Sequence, residues 1–489
     1  MKRTLTFCLA VLLLGSLASA LWAAKKAALT YRTRLTEHGS GIAGTLPPAD
    51  YGRGMLEELP ALASDPSQLW QMDLRGYDLS RLDLTAKLAE LQRADFDSKT
   101  VWPSALPAGF NPAAIMDTGK NPGLGVRALH AEGITGKGVG LAILDQGLLV
   151  DHVEYTDRLR LYEEIHCVDW CAQMHGPAVA SLAVGKTVGV APDADLYYIA
   201  ETHRKDNLSS WEGKNFDEIV DFTATATAID RILEINRSLP KGKKIRVISL
   251  SVGWMPSMCG YKEVMEAVER AKRAGVLVLS VALKQTHGLE FVGLDRDPVG
   301  DPDAVASYAL SSAIRQHLAM RQGSPLLVPM DARATASPTG ADDYVFYRQG
   351  GISWAVPYLA GLYALACQVK PDVTPEEFWA AALATGDALE STPAAPASRE
   401  EIEARVTETT DERLAELKEQ YKDREDELER LLAQSYTART GAKKERMTLE
   451  EFRVWIIPEQ VKAEMGANAL QECRIVNPPR LIDSLRSGK

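Results

Sequence analysis

The sequence predicts an α/β protein built around a mostly parallel sheet, and two observations carry that expectation. Short continuous apolar runs recur along the middle of the chain: VGLAIL (139–144), VGVAPDADLYYIA (188–200), IRVISLSVG (245–253) and GVLVLSVAL (275–283). Helical stretches separate them. FDEIVDFTATATAIDRILEINRS (216–238) spaces its apolar residues three and four apart, and KEVMEAVERAKRAG (262–275) ends at Gly275, a usual helix-stop position. Strands without polar alternation are buried on both faces. Alternating with helices, they form a parallel sheet whose chemistry belongs at the carboxyl ends of the strands.

Composition bounds the rest. The chain has 489 residues, 46% hydrophobic and 25% charged, close to the globular average and long enough for two or three domains. The formal charge of -11, from 55 Lys and Arg against 66 Asp and Glu, argues against a nucleic-acid partner. Six cysteines are too few to staple a chain of this length.

At the N-terminus, Lys2 and Arg3 precede an apolar run from Leu5 to Ala24. Residues 1–24 read as a signal peptide or an N-terminal anchor. Ala18-Ser19-Ala20 supplies a small-residue cleavage pattern, whereas the run approaches membrane-spanning length. The expected location is secreted or extracytoplasmic, with membrane contact only if the segment stays uncleaved. Residues 25–111 form an N-terminal lead or pro-region. Within it, MDLRGYDLSRLDLTAKL (72–88) sets Leu74, Leu79, Leu82 and Leu84 among Asp and Arg. A five-residue period there points to a short solenoid-like coil; an amphipathic helix or turn-rich lead-in is the other reading.

Near the C-terminus, residues 391–398 are rich in Pro, Ala and Ser and read as a linker. Of the 32 residues from 399 to 430, 20 are charged, with Leu414, Leu417, Tyr421, Leu428 and Leu431 at heptad-like spacing. A solvated helix or helical hairpin fits this pattern, and a partner contact through it is the functional alternative.

Three segments carry chemistry. In GKGVGLAILDQG (136–147), Asp145 closes a buried strand, where a carboxylate can orient an imidazole. In MHGPAVASLAVG (174–185), His175 opens a small-residue helix. In GGISWAVPYLAG (350–361), Ser353 follows two glycines and begins an apolar helix whose N-terminal N–H groups can face a developing oxyanion. Taken singly, these are also an ordinary turn Asp, a capping His and an N-cap Ser. Ala355 stands where a Gly-x-Ser-x-Gly elbow needs its last glycine, so an α/β-hydrolase is not indicated.

Taken together and in the order Asp, His, Ser, the segments resemble the subtilisin-like serine peptidases (subtilases, peptidase family S8). Asp145 with Gly147 matches the family's Asp-x-Gly. His175-Gly176 with Val179-Ala180 matches His-Gly-x-x-Val-Ala. GVAPDADL (189–196) matches the Gly-Val-Ala-Pro segment. Ser353, Ala355, Pro357 and Ala360-Gly361 match Gly-x-Ser-x-Ala-x-Pro-x-x-Ala-Gly. The resemblance covers about 112–390 and resumes at CRIVNPPRLIDSL (473–485). It implies a three-layer subtilisin-like fold over 112–489, interrupted by a charged helical insertion at about 391–466.

The implied activity is that of a serine endopeptidase acting on polypeptide substrates. Ser353 would be the nucleophile, His175 the general base and acid, and Asp145 the orienting carboxylate. Ser251, Val252, Gly253 and Trp254 in SLSVGW (249–254) would line the primary pocket; ordinary packing is the alternative for Trp254. No cofactor is required.

The chain departs from the family at several positions. The Asn that usually donates to the oxyanion is missing after the strand at 275–280, and Lys284 and Gln285 are the candidates to replace it. In the subtilisin case such a donor is worth about 10²–10³ in turnover. Pro177-Ala178 replaces the usual Thr-His, and Gln146 the Thr or Ser after the Asp. These losses, with the charged insertion, keep a degenerate subtilase acting as a peptide-binding or regulatory protein as the alternative.

His166, Cys167, Cys171 and His175 have metal-like spacing, but zinc there would consume His175; a local disulfide or two free thiols is preferred. The acidic loop with Asp295, Asp297, Asp301 and Asp303 is a calcium candidate weighed against a solvated loop.

Overall fold

The central apolar runs become the strands β1 (Gly140–Asp145), β2 (Leu159–Glu164), β3 (Asp195–Ala200), β4 (Ile245–Leu250) and β5 (Leu277–Ser280). They lie in the order β2-β3-β1-β4-β5, every neighbouring pair parallel, with Arg34–Leu35 antiparallel on the outer edge of β2. The chain therefore builds to one side of β1 and then to the other. This reversal opens a crevice at the carboxyl end of β1. This is a computed structural model; it describes residues 34–35, 46–60, 72–205, 219–310, 325–389, 399–440, 442–465 and 473–488. The expected signal segment (1–24) and the linker (391–398) lie outside the described residues.

Side-chain alternation decides which layer each residue meets. Ala142 and Leu144 of β1, with Tyr197 and Ile199 of β3, pack in one buried cluster with helices α2 (Thr223–Ser238) and α3 (Tyr261–Arg273). Asp145 has the opposite parity and so points to the other face. There lie α1 (His175–Val184) and α4 (Ile352–Val369), which pack on each other. The result is three layers, helices over parallel sheet over helices. α4 is apolar almost all round because it is buried almost all round.

Further along come β6 (Phe291–Arg296), β7 (Tyr308–Ala309), β8 (Arg333–Ala336) and β9 (Tyr344–Tyr347). β8 and β9 form a hairpin in register from Arg333↔Tyr347 to Ala336↔Tyr344. The strand Ala94–Asp97 adds antiparallel to β9, pairing Phe96 with Phe346. The five-residue period resolves as a coil: Leu74, Leu79 and Leu84 are all buried. Short parallel rungs stack there, 54–55 on 77–78 and 72–73 on 94–95, with Leu79 N–H donating to Val101 O at 2.8 Å.

The described residues form two compact units. The first takes those within 1–309, 327–386 and 476–489. The second takes those within 310–326 and 387–475. It contains α5 (Arg399–Gln420), α6 (Glu425–Thr440) and α7 (Leu449–Met465). Leu428, Leu432, Ala433 and Met447 make a small core there, with Trp455 edge-on to Tyr436 at 5.0 Å. Arg453 grips Asp411 with two nitrogens, and much of the remaining surface is charged.

Candidate active site

Asp145 ends β1 nearly buried, at 6% exposure. Its Oδ1 accepts from Gln146 N–H at 2.8 Å and faces His175 Nδ1 at 2.7 Å. His175 is the first residue of α1. The helix can come this close because residue 176 is glycine: a Cβ there would sit 2.5 Å from the Tyr198 hydroxyl and 2.6 Å from Gln146 O. Tyr198 in turn donates to Gln146 O at 2.5 Å, tying β3 to the turn after Asp145.

Ser353 is in the first turn of α4. Gly351 precedes the helix at φ +65, a left-handed conformation that glycine adopts without strain. Asp331, 3% exposed, accepts from Gly350 N–H at 2.8 Å and so anchors this turn; burial pushes its carboxyl up to about 7. Trp354, directly after Ser353, sets its ring 5.4 Å from that of His175 and edge-on to Tyr347 at 5.4 Å.

Ser251, past the end of β4, reaches Ser353 in both directions. Its hydroxyl donates to Ser353 O at 2.9 Å, and the Ser353 hydroxyl donates to Ser251 O at 3.3 Å. Val281 N–H donates to Val252 O at 3.1 Å, extending the β4–β5 pairing past the sheet edge. Val252 and Gly253 are half-buried on this rim. Trp254 turns inward: it is 2% exposed, its Nε1–H meets Met265 Sδ at 3.2 Å, and it packs edge-on to Phe222.

The oxyanion candidates lie in the helix Leu283–His287. The Lys284 ammonium pairs with Glu290 at 2.7 Å, and Gln285 is exposed. The structure thus brings Asp145 to His175 and Ser251 to Ser353. The sequence reading had not singled out Asp331 or Trp354. An Asp closing the apolar run LLVPMD was the available signal for the first, and adjacency to Ser353 for the second.

The cysteines beside the site are free thiols: Cys167 and Cys171 are not bridged. Cys167 Sγ lies 3.8 Å from Asp169 Oδ2, and burial raises both the thiol and the Asp169 carboxyl. Among the described residues no His, Cys, Asp and Glu cluster of three or more fits a metal ion, and the metal-like spacing around His175 is not realised. In the acidic loop each carboxylate has its own work. Asp295 pairs with Arg348 at 2.6 Å, Asp297 accepts from Val299 N–H, Asp301 from Asp303 N–H, and Asp303 from Asn121 and Gly125.

No family model matches the chain. Several curated proteins are similar to part of it. Subtilisin-like protease PopC of Myxococcus xanthus (strain DK1622) is 26% identical over 285 residues, 51% of this chain and 56% of that protein. Subtilisin-like protease 2 of Arthroderma otae is 27% identical over 235 residues, 47% and 50% of the two chains. Subtilisin-like protease 2 of Trichophyton rubrum is 25% identical over 237 residues, 48% and 51%. The chain spans about half the length of these relatives. Among solved structures, the prenylagaramide maturation protease PagA aligns at a TM-score of 0.38 and 17% identity, covering 54% of this chain and 89% of that one. Over about half its length the chain is related to the subtilisin-like proteases.

Proposed function

We propose that the protein is a serine endopeptidase that hydrolyses polypeptides through Asp145, His175 and Ser353. The observation that carries this reading is the 2.7 Å contact of His175 Nδ1 with Asp145, beside the helix whose first turn carries Ser353. Asp145 holds the imidazole with Nδ1 protonated, which leaves Nε2 free as a base. Ser353 Oγ turns from Ser251 O to His175, gives up its proton and adds to the peptide carbonyl. His175 then passes that proton to the leaving amine, and water repeats the sequence on the acyl-enzyme. The Ser353 N–H at the start of α4 donates to the tetrahedral oxyanion. Substrate lies as an added strand along Ser251–Gly253, held by main-chain hydrogen bonds. The chemistry draws on no cofactor, and residues 1–24 direct the protein out of the cytoplasm.

The test is labelling with a fluorophosphonate. The wild type reacts and Ser353→Ala does not; equal labelling of the two overturns the proposal. One observation favours the second reading, a peptide-binding protein without turnover: the Lys284 ammonium is engaged by Glu290, and no side-chain amide stands at its position. Peptide hydrolysis that depends on both Ser353 and His175 excludes that reading.

A further inference from the structure

Asp145 ends a strand that is paired unequally on its two sides. β1 pairs with β3 as far as Asp145↔Ala200, but its pairing with β4 ends at Ile143↔Ser249. Glu201 N–H donates to Asp145 O at 2.7 Å on the β3 side. The aim of the Asp145 carboxylate therefore depends on the turn that follows it.

That turn is gripped through one peptide group. Gln146 O and Gly147 N–H are the two ends of a single planar unit. Tyr198 donates to the first at 2.5 Å, and Asp169 Oδ2 accepts from the second at 2.8 Å. Partners at opposite ends hold the plane against rotation. The peptide before it carries the Gln146 N–H that donates to Asp145 Oδ1, the same oxygen that faces His175. A carboxylate accepting from a backbone N–H makes one of the stronger hydrogen bonds.

Asp169 is itself held in place. It lies in the loop between β2 and α1, and its neighbours there are anchored. Val168 N–H donates to Thr202 Oγ1 at 2.9 Å, and Ala172 N–H to Pro47 O at 2.9 Å. Gln173 N–H, two residues before His175, donates to Gly147 O at 3.0 Å. Residue 147 is a glycine where a Cβ would stand 3.3 Å from Asp169 Cβ, so the loop and the turn meet closely. One loop thus delivers the imidazole and grips the peptide behind the carboxylate that orients it.

We propose that Asp169 is a positioning residue: through the Gln146–Gly147 peptide it fixes Asp145 against His175. Its kinetic consequence rests on the peptidase reading, whereas the geometry it sets does not.

The experiment compares full-length wild type, Asp169→Ala and Asp169→Asn in peptide hydrolysis, thermal melts and proton NMR. The Nδ1 proton of His175 gives a far-downfield resonance, assigned by its loss in His175→Ala. Asp169→Ala lowers kcat roughly 10- to 100-fold with KM little changed, and Asp169→Asn, which keeps an acceptor for Gly147 N–H, restores most of it. The resonance weakens or shifts in the Ala variant and returns in the Asn variant. A lower Tm with kcat and resonance both unchanged is what a merely structural bond gives, and it overturns the proposal. If Asp169→Ala does not fold, Tyr198→Phe frees the other end of the same peptide; unchanged kcat and resonance there overturn it equally. A wild type that turns over no peptide, while its resonance responds to Asp169→Ala, overturns the peptidase reading and leaves the positioning role standing.

Discussion

Ser251 and Ser353 exchange hydrogen bonds across the carboxyl edge of the sheet, 2.9 Å from the Ser251 hydroxyl to Ser353 O and 3.3 Å in return. The cause lies four residues further on. In a helix, Ser353 O would accept from the N–H of residue 357, but residue 357 is a proline and has none. The freed carbonyl takes the Ser251 hydroxyl instead. The proline of the serine motif thus helps set where its serine sits.

Ser251→Ala leaves that carbonyl without its partner. We expect a stability loss of about 0.5–1.5 kcal/mol and a fall of roughly tenfold in kcat with KM little changed, because the nucleophile is displaced and the substrate strand is not. Ser251→Thr, which keeps the hydroxyl, restores most of the rate. Steady-state peptide hydrolysis and thermal melts check both.

Asp145→Asn keeps the shape of the site but lets the wrong imidazole tautomer form. Turnover falls by about 10³–10⁴ at neutral pH, a magnitude set by other serine-protease triads. Fluorophosphonate labelling slows in parallel while the melting curve shifts little.

Asp331 predicts a pH dependence of stability. Burial raises its carboxyl to about 7 in the folded protein, above the ordinary value of 3.8 that it regains on unfolding. Between these values the folded state holds the proton more tightly. Its contribution is therefore full below about pH 4 and is lost as pH rises through about 7. Asp331→Asn, which keeps an acceptor for Gly350 N–H, melts higher than wild type at pH 8, and the difference shrinks toward pH 5. Denaturant melts across that range measure it. A similar slope from Asp95, also raised to about 7 by burial, remains in both proteins.

The lead segment predicts an outcome for truncation. Its Ala94–Asp97 strand pairs with β9, and Asp95 accepts from Arg348 N–H at 2.7 Å, two residues before Gly350. Arg75 also donates to the Tyr347 hydroxyl, and the Tyr347 ring meets that of Trp354. A chain beginning at Asn111 exposes Phe346 and loses these contacts, so it is expected to be poorly folded and inactive by circular dichroism and peptide hydrolysis. Leu79→Ala, a milder change in the coil, costs about 2–4 kcal/mol. A mature N-terminus found beyond residue 110 in active protein would contradict this.

Much of this was legible before the fold was known, because local rules govern it. Continuous apolar runs ending at Asp145, Leu250 and Ser280 matched strands buried on both faces, and their carboxyl ends marked the candidate site. His175 and Ser353 were readable as openings of small-residue helices, whereas the Leu74, Leu79, Leu84 spacing left a coil and an amphipathic helix open, and burial of all three selects the coil. What the tertiary structure decided were pairings between distant segments. Trp254 was open to two readings, pocket wall or ordinary packing, and it packs in the α2–α3 layer, since strand parity past a sheet edge is not set by sequence. Lys284 looked like a stand-in donor, and Glu290 holds it. The grip of Asp331 on the Gly350 turn, and that of Asp169 on Gly147, join residues that no periodicity connects. Period and composition report what each segment must bury. Which polar group meets which depends on how the segments come together, and only the folded chain contains that.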